Sequence, residues 1–334
     1  MDQQHSSSFY ELTPERILDA VERSGVRTTG RCLQLNSMEN RVYEIEIECA
    51  DEQLPPSASE RFRVVKFYRP GRWSNAQIRD EHEFLAELAR EEIAVVPPEP
   101  FPDGSTLQTD SETGIRYAMF PKQGGRLSFE LNDDDLARIG RLLARLHLVG
   151  ARKEAENRIE LTTETYALDS LDYLLENQFL PENIEGYYTD TVEHICDIAE
   201  PWFAEADMQR IHGDCHVGNI LWATAGPRLI DFDDMVMGPC VQDLWLLTPG
   251  RGDEVLKARE TLLSGYEQFR NFDRSTLRLI EPLRALRMVH FSAWIAKRFD
   301  DPSFANAFPD FGSDSYWREE LQALLEVLEI LHGV

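Results

Sequence analysis

No stretch of the chain approaches 18 uninterrupted apolar residues, and the N-terminal MDQQHSSSFYELTPERIL has neither a basic n-region nor an apolar h-region. Neither a membrane span nor a secretory leader is expected. Cysteine is scarce: Cys32, Cys49, Cys196, Cys215 and Cys240 are odd in number and form no C-x-x-C pair. That usage fits a reducing compartment, so the expected location is the cytoplasm. Positive charge is also in deficit. Lys and Arg number 34 against 60 Asp and Glu, a formal charge of −26. Such a field repels a phosphate backbone and an anionic membrane surface, so the expected partners include neither nucleic acid nor membrane. Residues 1–120 carry −9 and residues 121–334 carry −17, which describes an evenly acidic, solvated surface and not an acidic tail. Internal repeats and low-complexity tracts are missing too.

What remains is a chain of 334 residues, long enough for two lobes that each bury a core. TPERILDAVERS predicts a short helix, with Thr13 as N-cap, Pro14 at the first helical position and Gly25 past the end. In RVYEIEIE, Tyr43, Ile45 and Ile47 alternate with Glu44, Glu46 and Glu48, a strand with one face buried and one wet. LPPSASE turns the chain and RFRVVKFY returns as a second strand. NAQIRDEHEFLAELARE repeats Ile78, Phe84, Leu85 and Leu88 near helical spacing, and IRYAMF is a further strand. Residues 1–120 therefore read β-β-β-α-β, and the Pro- and Gly-punctuated PKQGGR is the expected hinge to residues 121–334, which are mostly helical. Asn132 caps a helix carrying Leu136, Ile139, Leu143, Leu146 and His147. A last stripe of Trp317, Leu321, Leu324, Leu328 and Leu331 is too short for a coiled coil, so it is expected to pack within a monomer.

The chemistry concentrates in IHGDCHVGNILW and IDFDD, where ILW and RLI flank a turn at AGP. This predicts a loop, a hairpin and a second loop, bringing the oxygen-bearing side chains of Asp214, Asn219 and Asp231 to one mouth. Such hard ligands suit magnesium. In phosphoryl transfer an Asp accepts the proton of the attacking hydroxyl, an Asn five residues on holds one metal, and the Asp of a following loop holds the metals on the phosphates. Asp214, Asn219 and Asp231 fit these roles. A zinc site at His212, Cys215 and His216 is disfavoured, because Gly213 and Gly218 oppose a helix presenting both histidines on one face.

Upstream, Arg61, Arg63, Lys66, Arg69 and Arg72 form a positive island within twelve residues. Val64, Val65 and Phe67 make Lys66 an inward-pointing candidate for the α- and β-phosphates, once a helix carboxylate orients it. Glu81 is the first choice for that carboxylate and Glu83 the second.

HGDCHVGNILW, LIDFDD, LLARLH and GPCVQDLW resemble the aminoglycoside phosphotransferase and choline kinase branch of the protein-kinase-like fold. With LNSMENRVY and VVKFYRPGRW they are similar to the bacterial stress response kinase A group. The resemblance implies an α+β, two-lobed protein-kinase-like fold with a small β-rich N-lobe (1–120) and a larger, mainly helical C-lobe (121–334). It also implies a monomeric, cytoplasmic Ser/Thr protein kinase of the stress response that uses ATP and Mg2+. By matching position, Asp214 is the base, Asn219 and Asp231 are the magnesium ligands, Ser37 lies in the loop over the ATP phosphates, and Asp243 is a buried Asp that braces the catalytic loop. The chain departs from ordinary protein kinases in three ways. NSMEN has no glycine, so the Ser37 or Asn40 side chain substitutes for close backbone approach; Gly213 stands where an Arg would; and IDFDD replaces Asp-Phe-Gly. No activation-loop switch is expected, because that arginine reads the phosphorylated loop. Two alternatives stay open: a small-molecule hydroxyl kinase, and a nucleotide-binding pseudokinase, against which the intact Lys66, Asp214, Asn219 and Asp231 speak.

Overall fold

The computed structural model describes residues 9, 12–48 and 58–333, and the chain divides into two compact units, Met1–Val149 with His216–Asp234 and Gly150–Cys215 with Met235–Val334. The first unit opens on helix α1 (Pro14–Arg23). It starts where its sequence dictates: the Thr13 hydroxyl accepts the Arg16 N–H at 3.4 Å, and Pro14 occupies a position whose N–H has no helical partner. Strands β1 (Thr28–Leu35), β2 (Arg41–Ile47), β3 (Phe62–Phe67), β4 (Gln108–Thr109) and β5 (Arg116–Pro121) form an antiparallel sheet in the order β1-β2-β3-β5-β4. Of the LPPSASE turn, residues 54–57 lie outside the described residues, while Ala58–Arg61 make one 3-10 turn.

The two-residue period sorts the sheet's faces. Val65 and Phe67 join Tyr43, Ile45, Tyr117 and Met119 under Ile17, Ala20 and Val21 of α1. Lys66, between them, points to the opposite face beside its cross-strand partner Ala118, where Ile78 of helix α2 (Asn75–Arg90) packs. A capping box starts α2: the Ser74 hydroxyl accepts the Gln77 N–H at 3.2 Å and the Gln77 side chain accepts the Ser74 N–H at 2.8 Å. One expectation for β2 fails. Glu44 is buried rather than wet, because β1 and β3 flank it on both sides, and its carboxylate takes the Lys122 ammonium at 2.6 Å. Helix α3 (Asp133–Gly150) begins with Asn132 Oδ1 accepting the Asp135 N–H at 3.0 Å. The hairpin of β7 (Ile220–Ala223) and β8 (Gly226–Leu229) completes this unit, with Leu229 N–H donating to Ala94 O at 2.9 Å.

The second unit is mainly helical. It holds α4 (Asp169–Glu176), α5 (Glu182–Ala204), α6 (Val241–Trp245), α7 (Asp253–Tyr266), α8 (Ile280–Ala296), α9 (Pro302–Ala307) and α10 (Asp314–His332), with a ribbon of β6 (Met208–Ile211) and β9 (Val236–Pro239). Helix α10 packs on α5 and α8. Trp317, Leu324 and Leu331 of the expected stripe are buried, whereas Leu321 and Leu328 are only half-buried and Val327 joins the core in their place. A 3.6-residue helix rotates its face away from a strict heptad, which accounts for the exchange. Trp317 meets the Tyr188 ring edge-on at 5.6 Å. Trp317→Ala is expected to cost about 3–5 kcal/mol, read as a lower urea midpoint. Among the described residues no helix is long and apolar enough to cross a membrane.

Beside Trp317, the Ser292 hydroxyl lies 2.9 Å from the Tyr316 hydroxyl and donates to the Glu320 carboxylate at 3.4 Å. Burial pushes the Glu320 carboxyl up to about 7. The folded state therefore holds a proton that the unfolded chain releases from about pH 4.5 upward, and stability falls as pH rises from there to about 7. Glu320→Gln is expected to flatten that fall and to raise stability at pH 8 by an amount on the order of 3 kcal/mol, measured by denaturant titration across pH.

Candidate active site

In the second unit, β6 runs into the loop that carries Asp214. Asp243 of α6, completely buried, accepts the backbone N–H groups of His212 at 2.8 Å and Gly213 at 2.9 Å. Gln242 Nε2 donates to Gly213 O at 2.9 Å, and its Oε1 accepts the Trp245 indole N–H at 2.9 Å. The QDLW segment thus braces the loop, as the family pattern implied for Asp243. Gly213 has φ 83°, a left-handed conformation in which a side chain is strained, so the residue preceding Asp214 is glycine for a backbone reason. The Asp214 N–H donates to His212 Nδ1 at 3.3 Å. Its carboxylate meets the Arg287 guanidinium of α8 at 2.9 Å, a contact between residues 73 apart that no local pattern announces. Burial holds the Cys215 thiol well above its usual range.

In the first unit, the chain enters the β7–β8 hairpin through a 3-10 turn, Val217–Asn219. His216 Nδ1 accepts the Gly218 N–H at 3.0 Å, and a Cβ on Gly218 would lie 2.7 Å from the imidazole ring, so this glycine serves the histidine cap. The Ile230 N–H donates to Asn219 O at 3.0 Å, which sets Asn219 beside the segment leading into Asp231. Asp231 itself has φ 60°, a conformation Asp enters more readily than most residues. Its side chain is 56% exposed, whereas the next residue, Phe232, is buried edge-on against Phe84 of α2 at 6.0 Å.

Lys66 is the hub of this unit. Its ammonium lies 2.7 Å from Asp233, 3.4 Å from Asp231 and 3.8 Å from Glu81, and the side chain is only 9% exposed. Burial alone would lower its pKa, but Asp233, Glu81 and Asp231 outweigh burial and hold the amine well above its ordinary range. Of the two helix carboxylates considered, Glu81 is buried against Lys66, while Glu83 is exposed on another face of α2. The positive island does not survive as such. Arg63 pairs with Glu99, Arg69 with Glu39 at 3.3 Å, and Arg72 with Asp233 at 2.6 Å and with Asp234, so folding pairs three of the four clustered arginines with carboxylates. Ser37 Oγ accepts the Asn40 N–H at 3.3 Å, holding the turn between β1 and β2. Sequence reasoning misses Asp233 as a partner of Lys66 and of this turn, and Arg72 as a partner of Asp233 and Glu39; the Asp233-Asp234 pair that follows Asp231 in IDFDD is the available signal.

A lysine buried on the middle strand of a five-stranded antiparallel sheet, a hairpin followed by an open carboxylate, and a braced Asp214 loop in a helical unit define a kinase-like phosphotransferase. The chain belongs to the phosphotransferase enzyme family, whose profile matches residues 34–280. Within that family its likeness is to stress response kinase A. It is 38% identical over 328 residues to the protein of that name from Salmonella paratyphi A, covering 97% of this chain and 95% of that one. It is 37% identical over 328 residues, with the same coverage, to the serine/threonine protein kinase RdoA of Salmonella typhimurium. In structure it is similar to amicoumacin kinase hAmiN in complex with AMP-PNP, Ca2+ and Ami, with a TM-score of 0.70 at 17% identity over 93% of this chain and 95% of that one. The sheet unit and the mainly helical unit are those of the protein-kinase-like α+β fold that the motifs implied.

Proposed function

We propose that this protein transfers the γ-phosphoryl group of ATP to serine or threonine hydroxyls of protein substrates, with Mg2+ as its metal. The observation that carries the reading is the Lys66 cluster, a buried ammonium 3.8 Å from Glu81 and 3.4 Å from the exposed carboxylate of Asp231. A fixed cation beside an open carboxylate suits a phosphate chain and its metal. In this reading residues 1–120 form the nucleotide-binding lobe and residues 121–334 the catalytic and substrate lobe. Lys66, paired with Glu81, holds the α- and β-phosphates under the turn that carries Ser37. Asn219 and Asp231 offer an amide and a carboxylate oxygen, hard donors that fit magnesium. Asp231 is the open carboxylate of its loop, whereas Asp233 is buried among cations. The bound ion would neutralise charge on the phosphates. Asp214 accepts the proton of the acceptor hydroxyl as its oxygen bonds to the γ-phosphorus and the bond to the ADP oxygen breaks. Arg287, which pairs with Asp214 at 2.9 Å, is 39% exposed and can give way to the acceptor.

The likeness to RdoA, named a serine/threonine protein kinase, supports a protein acceptor. The formal charge of −26 supports a basic segment of that protein. The hAmiN complex with Ami is the reason to test small-molecule hydroxyls as the second acceptor class. We expect the protein to act as a cytoplasmic monomer without an activation-loop switch. The deciding experiment offers the purified protein γ-labelled ATP and Mg2+ with a basic protein, an acidic protein and a panel of amino alcohols, using Asp214→Ala as control. Label on protein that disappears in the variant supports the reading. Label on a small molecule alone moves it to the second acceptor class, and no Mg2+-dependent ADP with any acceptor leaves a nucleotide-binding module. Equal rates on basic and acidic acceptors at low salt would remove the charge preference.

A further inference from the structure

Asp233 has no role in the transfer just described, yet its side chain is only 3% exposed and groups from three separate segments converge on it. The Lys66 ammonium of β3 reaches Oδ1 at 2.7 Å. Arg72, from the segment before α2, reaches Oδ2 at 2.6 Å, and Asn40, from the turn between β1 and β2, donates its side-chain amide to the same oxygen at 3.3 Å. That turn is tied down further. Asn40 Oδ1 accepts the Arg69 N–H at 3.1 Å, Arg69 Nε donates to Glu39 O at 3.0 Å, and Arg72 lies 3.5 Å from the Glu39 carboxylate. In ordinary protein kinases a glycine-rich loop covers the phosphates. NSMEN has no glycine, so side chains must set where this turn stands.

The geometry points to Asp233 as the positioning residue of the nucleotide site: through Asn40 and Arg72 it holds the β1–β2 turn, and through its 2.7 Å contact it sets Lys66, which is farther from Glu81 at 3.8 Å. The inference rests on the proposed nucleotide-binding role of Lys66 and Asp231. Two neighbouring carboxylates thereby take different roles. Asp231 is open for a metal, and Asp233 has the Lys66 ammonium against one oxygen and Arg72 and Asn40 on the other.

Asp233→Asn keeps the shape and removes the charge. In equilibrium binding of Mg2+ with AMP-PNP it is expected to weaken affinity about 30-fold, equivalent to about 2 kcal/mol. The KM for ATP should rise in parallel while kcat at saturating ATP falls less than about threefold, and the half-saturating Mg2+ concentration should not move. Asn40→Ala should act in the same direction, with the double variant weaker by less than the product of the two effects. A folded Asp233→Asn protein that binds AMP-PNP like the wild type overturns the inference. So does an effect confined to the Mg2+ requirement, which would make Asp233 a metal ligand. Should Asp233→Asn fail to fold, Asn40→Ala decides alone: an unchanged affinity at an unchanged Tm overturns the inference. A wild-type protein that binds no nucleotide overturns the proposed site and this inference together, whereas normal wild-type binding with unaffected variants overturns this inference only.

Discussion

Asp214→Asn is expected to slow phosphoryl transfer by about 10²- to 10⁴-fold while nucleotide affinity stays within about twofold. Asparagine keeps the size of the side chain but cannot take up the proton of the attacking hydroxyl. The loop itself should hold, because it is braced by Asp243 and Gln242 and not by Asp214. Arg287 loses a counter-ion, but an arginine that is 39% exposed is solvated in its absence, so the stability change should stay below about 1 kcal/mol. Single-turnover rates beside AMP-PNP binding separate the two effects. Transfer at the wild-type rate would remove Asp214 from the role of base, and a rate loss matched by an equal loss of nucleotide affinity would make it a binding residue.

What could be read from the chain follows a physical division. Helix α1 was legible because Thr13 and Pro14 act on the N–H groups beside them, and the β7–β8 hairpin because apolar ILW and RLI flank a turn, although the chain turns at Thr224–Ala225 and Gly226 and Pro227 of the expected AGP turn already belong to β8. Lys66 was legible as inward-pointing because Val65 and Phe67 take the α1 face, and a two-residue period leaves the lysine to the other. The partners of the charges were not legible. Asn40 and Asp233 are separated by 193 residues and Arg72 and Asp233 by 161, so no local period links them. The same holds for Glu44, whose alternation with Tyr43 and Ile45 promised a wet face. Both neighbouring strands and Lys122 had to be in place before it was covered. Periodicity encodes which face a residue takes. Which opposite charge it meets there is a property of the folded sheet and its turns.

Lys66→Met carries the second large effect and separates the site's stability from its chemistry. The methionine is close to the lysine in length and apolar content, so little of the loss should come from packing. The loss comes from charge: the Glu81 side chain is 1% exposed and that of Asp233 3% exposed, and both face the vacated ammonium. Asp233 keeps Arg72 at 2.6 Å, so Glu81 is the more affected by the loss. Removing the cation that faces a buried carboxylate is expected to destabilise the protein by about 3–5 kcal/mol, seen as a lower denaturation midpoint. Adding Glu81→Gln removes that carboxylate's charge and should recover a large part of the stability. Nucleotide binding should follow a different course. With the fixed cation gone, affinity for AMP-PNP and Mg2+ should fall about 100-fold, and Glu81→Gln should not restore it. Recovery of both together would mean that Lys66 acts only by holding the sheet unit folded. Recovery of stability without binding is the result that makes Lys66 a phosphate ligand.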